Sequence, residues 1–144
     1  MTAEKLIRIG RVSKIDYERG MVAVTYPDLD GATTTFLPVL THGDEYKMPK
    51  VGDNVTVLHY SSGQSRGVVI GSSWGKENRP TQHGEGVFRK ELGESPGECF
   101  IEYDSASKTL TITAPTSVSI NCGGLMTLNG AVVKADNLIL PPRE

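Results

Sequence analysis

The sequence has almost no helical signal. In no window do apolar residues recur at spacings of three and four over three turns, which excludes an all-α or doubly wound architecture. No apolar run approaches the ~20 residues of a membrane helix. Met1-Thr2-Ala3-Glu4-Lys5 lacks the apolar core of a signal peptide. The expectation is a product made in a cytoplasm that stays soluble or leaves by lysis. Only two cysteines occur, Cys99 and Cys122. Two widely spaced cysteines form neither a metal knuckle nor a disulfide framework, so they are expected as free thiols of a reducing compartment. Charge of one sign is not in excess either. Fifteen Lys and Arg face seventeen Asp and Glu, a net charge of −2, which leaves no basic field of the kind that drives nucleic-acid binding.

What the chain has in quantity is strand and turn signal, in two styles. The first spans roughly residues 5 to 75. Leu6 to Asp16 is β-branched with a broken alternation: Ile7 and Ile9, then Val12 and Ile15. Met21 to Tyr26 alternates cleanly. Pro27-Asp28-Leu29-Asp30-Gly31 is a turn, Thr33 to Leu40 a strand interrupted at Pro38, and Val55 to Tyr60 and Gly67 to Gly71 two more, with a turn at Ser61-Ser62-Gly63-Gln64 between them. Five short strands with tight turns suit a small, nearly closed barrel, and an OB-like barrel over 1–75 is the expectation. Residues 76–98, rich in charge, Gly and Pro, read as a connector with one short strand around Val87 to Lys90.

The second style fills 99–144. From Thr109 to Val133 there is no charged residue. Leu110, Ile112, Val118, Ile120, Met126 and Leu128 all fall on even positions, while the odd positions from 109 to 121 are mostly Thr and Ser. Alternation in one phase over more than twenty residues is too long for one strand. Several short strands in series are expected, with breaks at Pro115-Thr116, Gly123-Gly124 and Asn129-Gly130. A lone chain would expose an apolar stripe and uncharged strand edges, a composition that aggregates. The stripe must either dock on the N-terminal barrel or be enclosed by copies of itself around a common axis. Three sheets are the fewest that enclose an interior, and the six even-numbered residues named above are the expected trimer core.

Candidate chemistry is sparse. Asp28, Asp30, Asp44 and Glu45 lie in turn sequence without calcium-loop spacing. Gly71, Ser73 and Gly75 spell a nucleophile elbow, but no helix pattern follows. His59, between Leu58 and Tyr60, reads as a packed or surface residue. Neither a catalytic residue nor a metal or other cofactor site is expected. A nucleic-acid-binding OB module would need stacking aromatics on one face, whereas Tyr26, Phe36, Tyr60 and Trp74 are scattered over different strands. A receptor-binding fibre tip would need aromatic distal loops, and no aromatic follows Cys122.

Five fragments, in order, carry a resemblance: Arg8-Ile9-Gly10-Arg11-Val12-Ser13-Lys14-Ile15-Asp16, Phe36-Leu37-Pro38-Val39-Leu40, Pro49-Lys50-Val51-Gly52-Asp53-Asn54-Val55-Thr56-Val57-Leu58, Gly67-Val68-Val69-Ile70-Gly71-Ser72-Ser73-Trp74, and Ile101-Glu102-Tyr103-Asp104 with Leu110-Thr111-Ile112. Together they resemble the phage baseplate assembly protein V, or central spike, family of contractile injection systems, over nearly the whole chain. The resemblance implies a homotrimer in the virion tail baseplate or a phage-tail-like particle, assembled in the host cytoplasm. Its OB domains would meet a baseplate hub protein, and an intertwined triple-stranded β-helix over 99–144 would be driven through the target cell envelope. Many members end in a metal-binding His-x-His apex. Here His42, His59 and His83 all precede the needle, so no metal is carried over. The tip is then blunt, capped by a separate tip protein, or closed by Leu138-Ile139-Leu140 of three chains. The 76–98 segment is too short for the lysozyme domain of some larger spikes.

Overall fold

The computed structural model describes residues 6–60 and 66–139. Among them the only element that is not a strand is one 3-10 turn, Pro27–Leu29. The fold is all-β, with two antiparallel sheets. The expected turn at Ser61-Ser62-Gly63-Gln64 and the chain from Leu140 onward lie outside the described residues. The chain divides into two units, Met1–Pro80 and Thr81–Glu144, a boundary inside the stretch read from sequence as the connector.

The first unit contains β1 (Ile7–Asp16), β2 (Met21–Tyr26), β3 (Ala32–Thr33), β4 (Leu37–Pro38), β5 (Asn54–His59) and β6 (Gly67–Gly71). The path is β3-β2-β1-β5-β6, and β4 also pairs β2. Val39, the residue after β4, bridges Val69 of β6 in parallel, and the Leu40 N–H donates to the Val69 carbonyl at 2.9 Å. The pairing therefore runs in a circuit, β1-β2-β4-β6-β5 and back to β1. Pro38 has no N–H to give a ladder, which accounts for the shortness of β4.

The broken alternation of β1 has a structural cause. Its register against β2 shifts between Val12 and Lys14, and such a bulge turns the following residues to the other face. Val12 and Ile15 thus both face the core, while Ile7 and Ile9 remain 59% and 66% exposed. The turn after β2 closes with Asp30 at φ 56° and Gly31 at φ 76°, left-handed positions that Asp tolerates and Gly favours. Period-two burial of β2, β5 and β6 then delivers the core: Val12, Val22, Val24, Tyr26, Leu37, Val55, Val57 and Val69. Inward-facing Gly10 has no room for a side chain. A Cβ there would lie 2.5 Å from Val24 Cγ1 and 2.8 Å from the Thr25 carbonyl oxygen.

The second unit contains a meander of β7 (Val87–Glu91), β8 (Phe100–Asp104) and β9 (Thr109–Thr113). The strand expected near Val87 is β7, paired residue for residue with β8. The β8–β9 turn ends on Lys108 at φ 54°. After Thr113 the series of short strands expected from the sequence is not formed within the chain. Among the described residues, 114–139 contain no strand and make no backbone–backbone hydrogen bond. Strand structure requires a neighbour for its N–H and C=O groups, and this stretch has none among the described residues.

Candidate oligomer interface

Residues directly opposite one another in an antiparallel ladder share a face. In the β7-β8-β9 sheet Phe88 opposes Tyr103 and Tyr103 opposes Leu110, while Lys90 opposes Ile101 and Ile101 opposes Ile112. One face is therefore two cross-strand rows, apolar but for Lys90. That face is open: Phe88 is 60% exposed, Leu110 61% and Ile112 59%.

The other face is polar and internally satisfied. Val87, Arg89 and Glu91 oppose Asp104, Glu102 and Phe100. Arg89 donates to Glu91, through Nε and Nη2, and from Nη1 to Glu102 Oε1 at 3.2 Å. Its guanidinium lies 3.4 Å above the centre of the Phe100 ring, a cation–π contact. The hydrogen bond to Glu91, helped by that to Glu102, raises the arginine's already high pKa further. Glu91 Oε1 also accepts from the Gly97 N–H at 2.6 Å, tying down the β7–β8 connection. An ordered polar face opposite an uncovered apolar one is the signature of a sheet that buries one side against something else.

The six residues expected as a trimer core fall in two places. Leu110 and Ile112 lie together on the open face of β9. Val118, Ile120, Met126 and Leu128 follow in 114–139, and all four are exposed, Met126 least at 44%. The chain by itself does not bring these four into a core. Leu125, Val132, Val133, Leu138 and Ile139 are exposed as well. Sequence reasoning missed Phe88, Ile101 and Tyr103. The signal that could have found them is the alternation of Ile101 and Tyr103 in the same phase relation as Leu110 and Ile112 across a four-residue turn.

Elsewhere, Tyr26 of the scattered aromatics is fully buried, whereas Tyr60 and Trp74 are exposed. Among the described residues no three His, Cys, Asp or Glu side chains are grouped to hold a metal ion. Cys122 is exposed, and Cys99 is half-buried. No family model matches the chain, and no curated protein matches it.

Proposed function

We propose that the chain is the central spike of a contractile phage-type tail, a homotrimer whose first unit attaches to a baseplate hub protein and whose second unit forms a stiff needle. In this reading the first unit is an OB-like barrel. The circuit β1-β2-β4-β6-β5, antiparallel except where Val39 meets Val69, supports it, because that is the strand order of a five-stranded OB barrel. In the same reading 99–144 is an intertwined triple-stranded β-helix.

One observation carries the proposal. Within a charge-free stretch, Leu110, Ile112, Val118, Ile120, Met126 and Leu128 share one period-two phase, with Leu125 between them out of phase; all are exposed, and among the described residues the backbone after Thr113 makes no backbone–backbone hydrogen bond. Uncovered apolar surface and unpaired strand-forming backbone are both costly, and copies of the same segment wound about one axis relieve both at once. Thr and Ser on the odd positions face water, so the rod stays soluble. Its task is mechanical. Sheath contraction pushes it through the target cell envelope, and stiffness follows from closed ladders and a dry interior. No covalent step is needed.

The phase of the stripe supplies the test. Ile120→Asp puts a carboxylate on the axis and is expected to dissociate the trimer, read by analytical ultracentrifugation. Ser119→Asp, one residue away and outward, is expected to leave the mass unchanged. Equal effects from the two substitutions would remove the basis for the needle.

A further inference from the structure

A cleft of about 580 Å³ opens on the first unit, lined by Ile9 of β1, the start of β5 and the chain that follows β6. Its apolar lining is Ile9 and Trp74. Trp74 is the chain's one tryptophan, and it is 67% exposed. The loop that carries it is ordered. The Gly75 N–H donates to the Asn78 carbonyl at 2.9 Å, and the Asn78 N–H returns to the Gly75 carbonyl at 3.3 Å. The Asn78 side-chain amide donates to the Ser73 carbonyl at 3.1 Å. This closed turn holds the indole outside the core. Asp53 is held as well, its Oδ2 accepting from the Lys50 N–H at 2.9 Å.

The composition of the lining selects the chemistry of a ligand. The centre of a protein–protein contact is depleted of charge, whereas Asp53, Lys76 and Glu77 all line this cleft. Two carboxylates against one ammonium disfavour a phosphate or sulfate, and so a nucleotide, although its base could stack on the indole. Arg11 stands opposite Asn54 but does not line the cleft. A single aromatic makes no cage for a quaternary ammonium. The remaining groups are uncharged and polar. Among the described residues, the side chains of Asn54, Ser72 and Ser73 line the cleft without a hydrogen-bond partner in the chain. An open aromatic face beside unspent amide and hydroxyl groups matches a pyranose ring. The C–H bonds of a pyranose give it an apolar face for the electron-rich indole. Its hydroxyls donate and accept, as the amide and the serines do. Small-molecule sites combine an apolar wall and a few polar groups in this way.

We propose that this cleft binds a neutral glycan, with one pyranose stacked on Trp74 beside Ile9 and its hydroxyls held by Asn54, Ser72 and Ser73. The site lies wholly in the first unit. It uses no residue of the stripe or of the open β7-β8-β9 face, so it does not rest on the spike reading. It gives the chain a recognition role separate from assembly.

Because Trp74 is the one tryptophan, its fluorescence in the full-length protein reports on this cleft alone, provided excitation is kept where tyrosine does not absorb. The probes are maltotetraose, cellotetraose and chitotetraose. At least one is expected to give a saturable blue shift and to shield the emission from acrylamide, with a dissociation constant of about 1 mM or tighter. Asn54→Ala is expected to weaken that binding roughly tenfold. Trp74→Ala is expected to abolish the heat of binding in calorimetry. Both side chains are exposed, and urea unfolding of the two variants should match that of the unaltered chain. No saturable change with any of the three sugars would overturn the inference. So would binding that Asn54→Ala leaves intact, or saturation by a dinucleotide or a sulfated tetrasaccharide and by none of the neutral sugars. Cover of the cleft by another copy of this chain would overturn it too, and shows before any sugar is added. The emission would then be blue-shifted and shielded from acrylamide at high protein concentration, and would lose both on dilution.

Discussion

Tyr26 Oη and His59 Nε2 lie 2.6 Å apart in the buried interior of the first unit. The other ring nitrogen, Nδ1, is 3.2 Å from the Arg66 carbonyl oxygen. A carbonyl can only accept, so Nδ1 donates, and Nε2 of the neutral ring is left to accept the phenolic hydrogen. The pair ties β2 to β5 through side chains, and through the Arg66 carbonyl it ties both to the start of β6. The Arg8 guanidinium sits 5.7 Å from the centre of the Tyr26 ring and pairs with Asp28 at 3.2 Å.

The burial of Tyr26 sets an alkaline limit to stability. Burial pushes the Tyr26 phenol up to about 12 from 10.0, against an opposing pull from Arg8. Above pH 10 an unfolded tyrosine releases its proton while the folded one keeps it. The stabilisation is complete below pH 10 and is lost as pH rises through 12, on the order of 2–3 kcal/mol for a shift of this size. Urea unfolding at pH 8 and pH 11.5 measures the loss. Tyr26→Phe leaves Nε2 of His59 buried without its donor and is expected to cost about 1–3 kcal/mol at pH 8, while flattening the decline above pH 10.

Gly10 is fixed by packing. Gly10→Ala drives a methyl into the Val24 side chain, the Tyr26 ring and the Thr25 carbonyl, and the carbonyl belongs to the adjoining strand and cannot swing aside. Overpacking of this kind costs about 1–3 kcal/mol. Gly75→Ala, with nothing within 4 Å of the added carbon, is the matched control, and thermal unfolding of the two variants should differ accordingly.

The elements of the first unit were legible in the sequence because their signals are local. Alternation marked β2 and the apolar run Val68-Val69-Ile70 marked β6, each residue for residue, and the partial alternation of β1 is the trace of its bulge, where the core face passes from even Val12 to odd Ile15. The third strand is interrupted at 34–36, between β3 and β4, and not at Pro38, which pairs with Met21 inside β4. What depends on residues far apart was not legible. The Tyr26–His59 bond spans 33 positions, and neither residue carries a sign of the other. Phe88 and Tyr103 come to share one open apolar face only when β7 is set in register with β8. At the stripe from Leu110 to Leu128 the sequence alone showed an uncharged segment rich in apolar side chains, and the chain leaves those side chains exposed.

Cys122 belongs to the same even-numbered phase as Ile120 and is exposed in the single chain. In a trimer wound about that phase, its three copies converge on the axis. Mild oxidation of the full-length protein is expected to give a disulfide-linked dimer on a denaturing gel, with the third chain free. Cys122→Ser should abolish the band and Cys99→Ser should not. A cross-link that survives Cys122→Ser would place a different residue on the axis.

The most direct measurement is the solution mass of the full-length chain by light scattering behind size exclusion, beside a truncation that ends at Thr113. A truncation near Gly97 would strip β7 of its partner strand, whereas ending at Thr113 keeps the whole β7-β8-β9 sheet. The account predicts three chain masses for the full-length protein and a weaker or absent trimer for the truncation. A full-length monomer that stays soluble would contradict it, because the stripe from Leu110 to Leu128 would then need no partner.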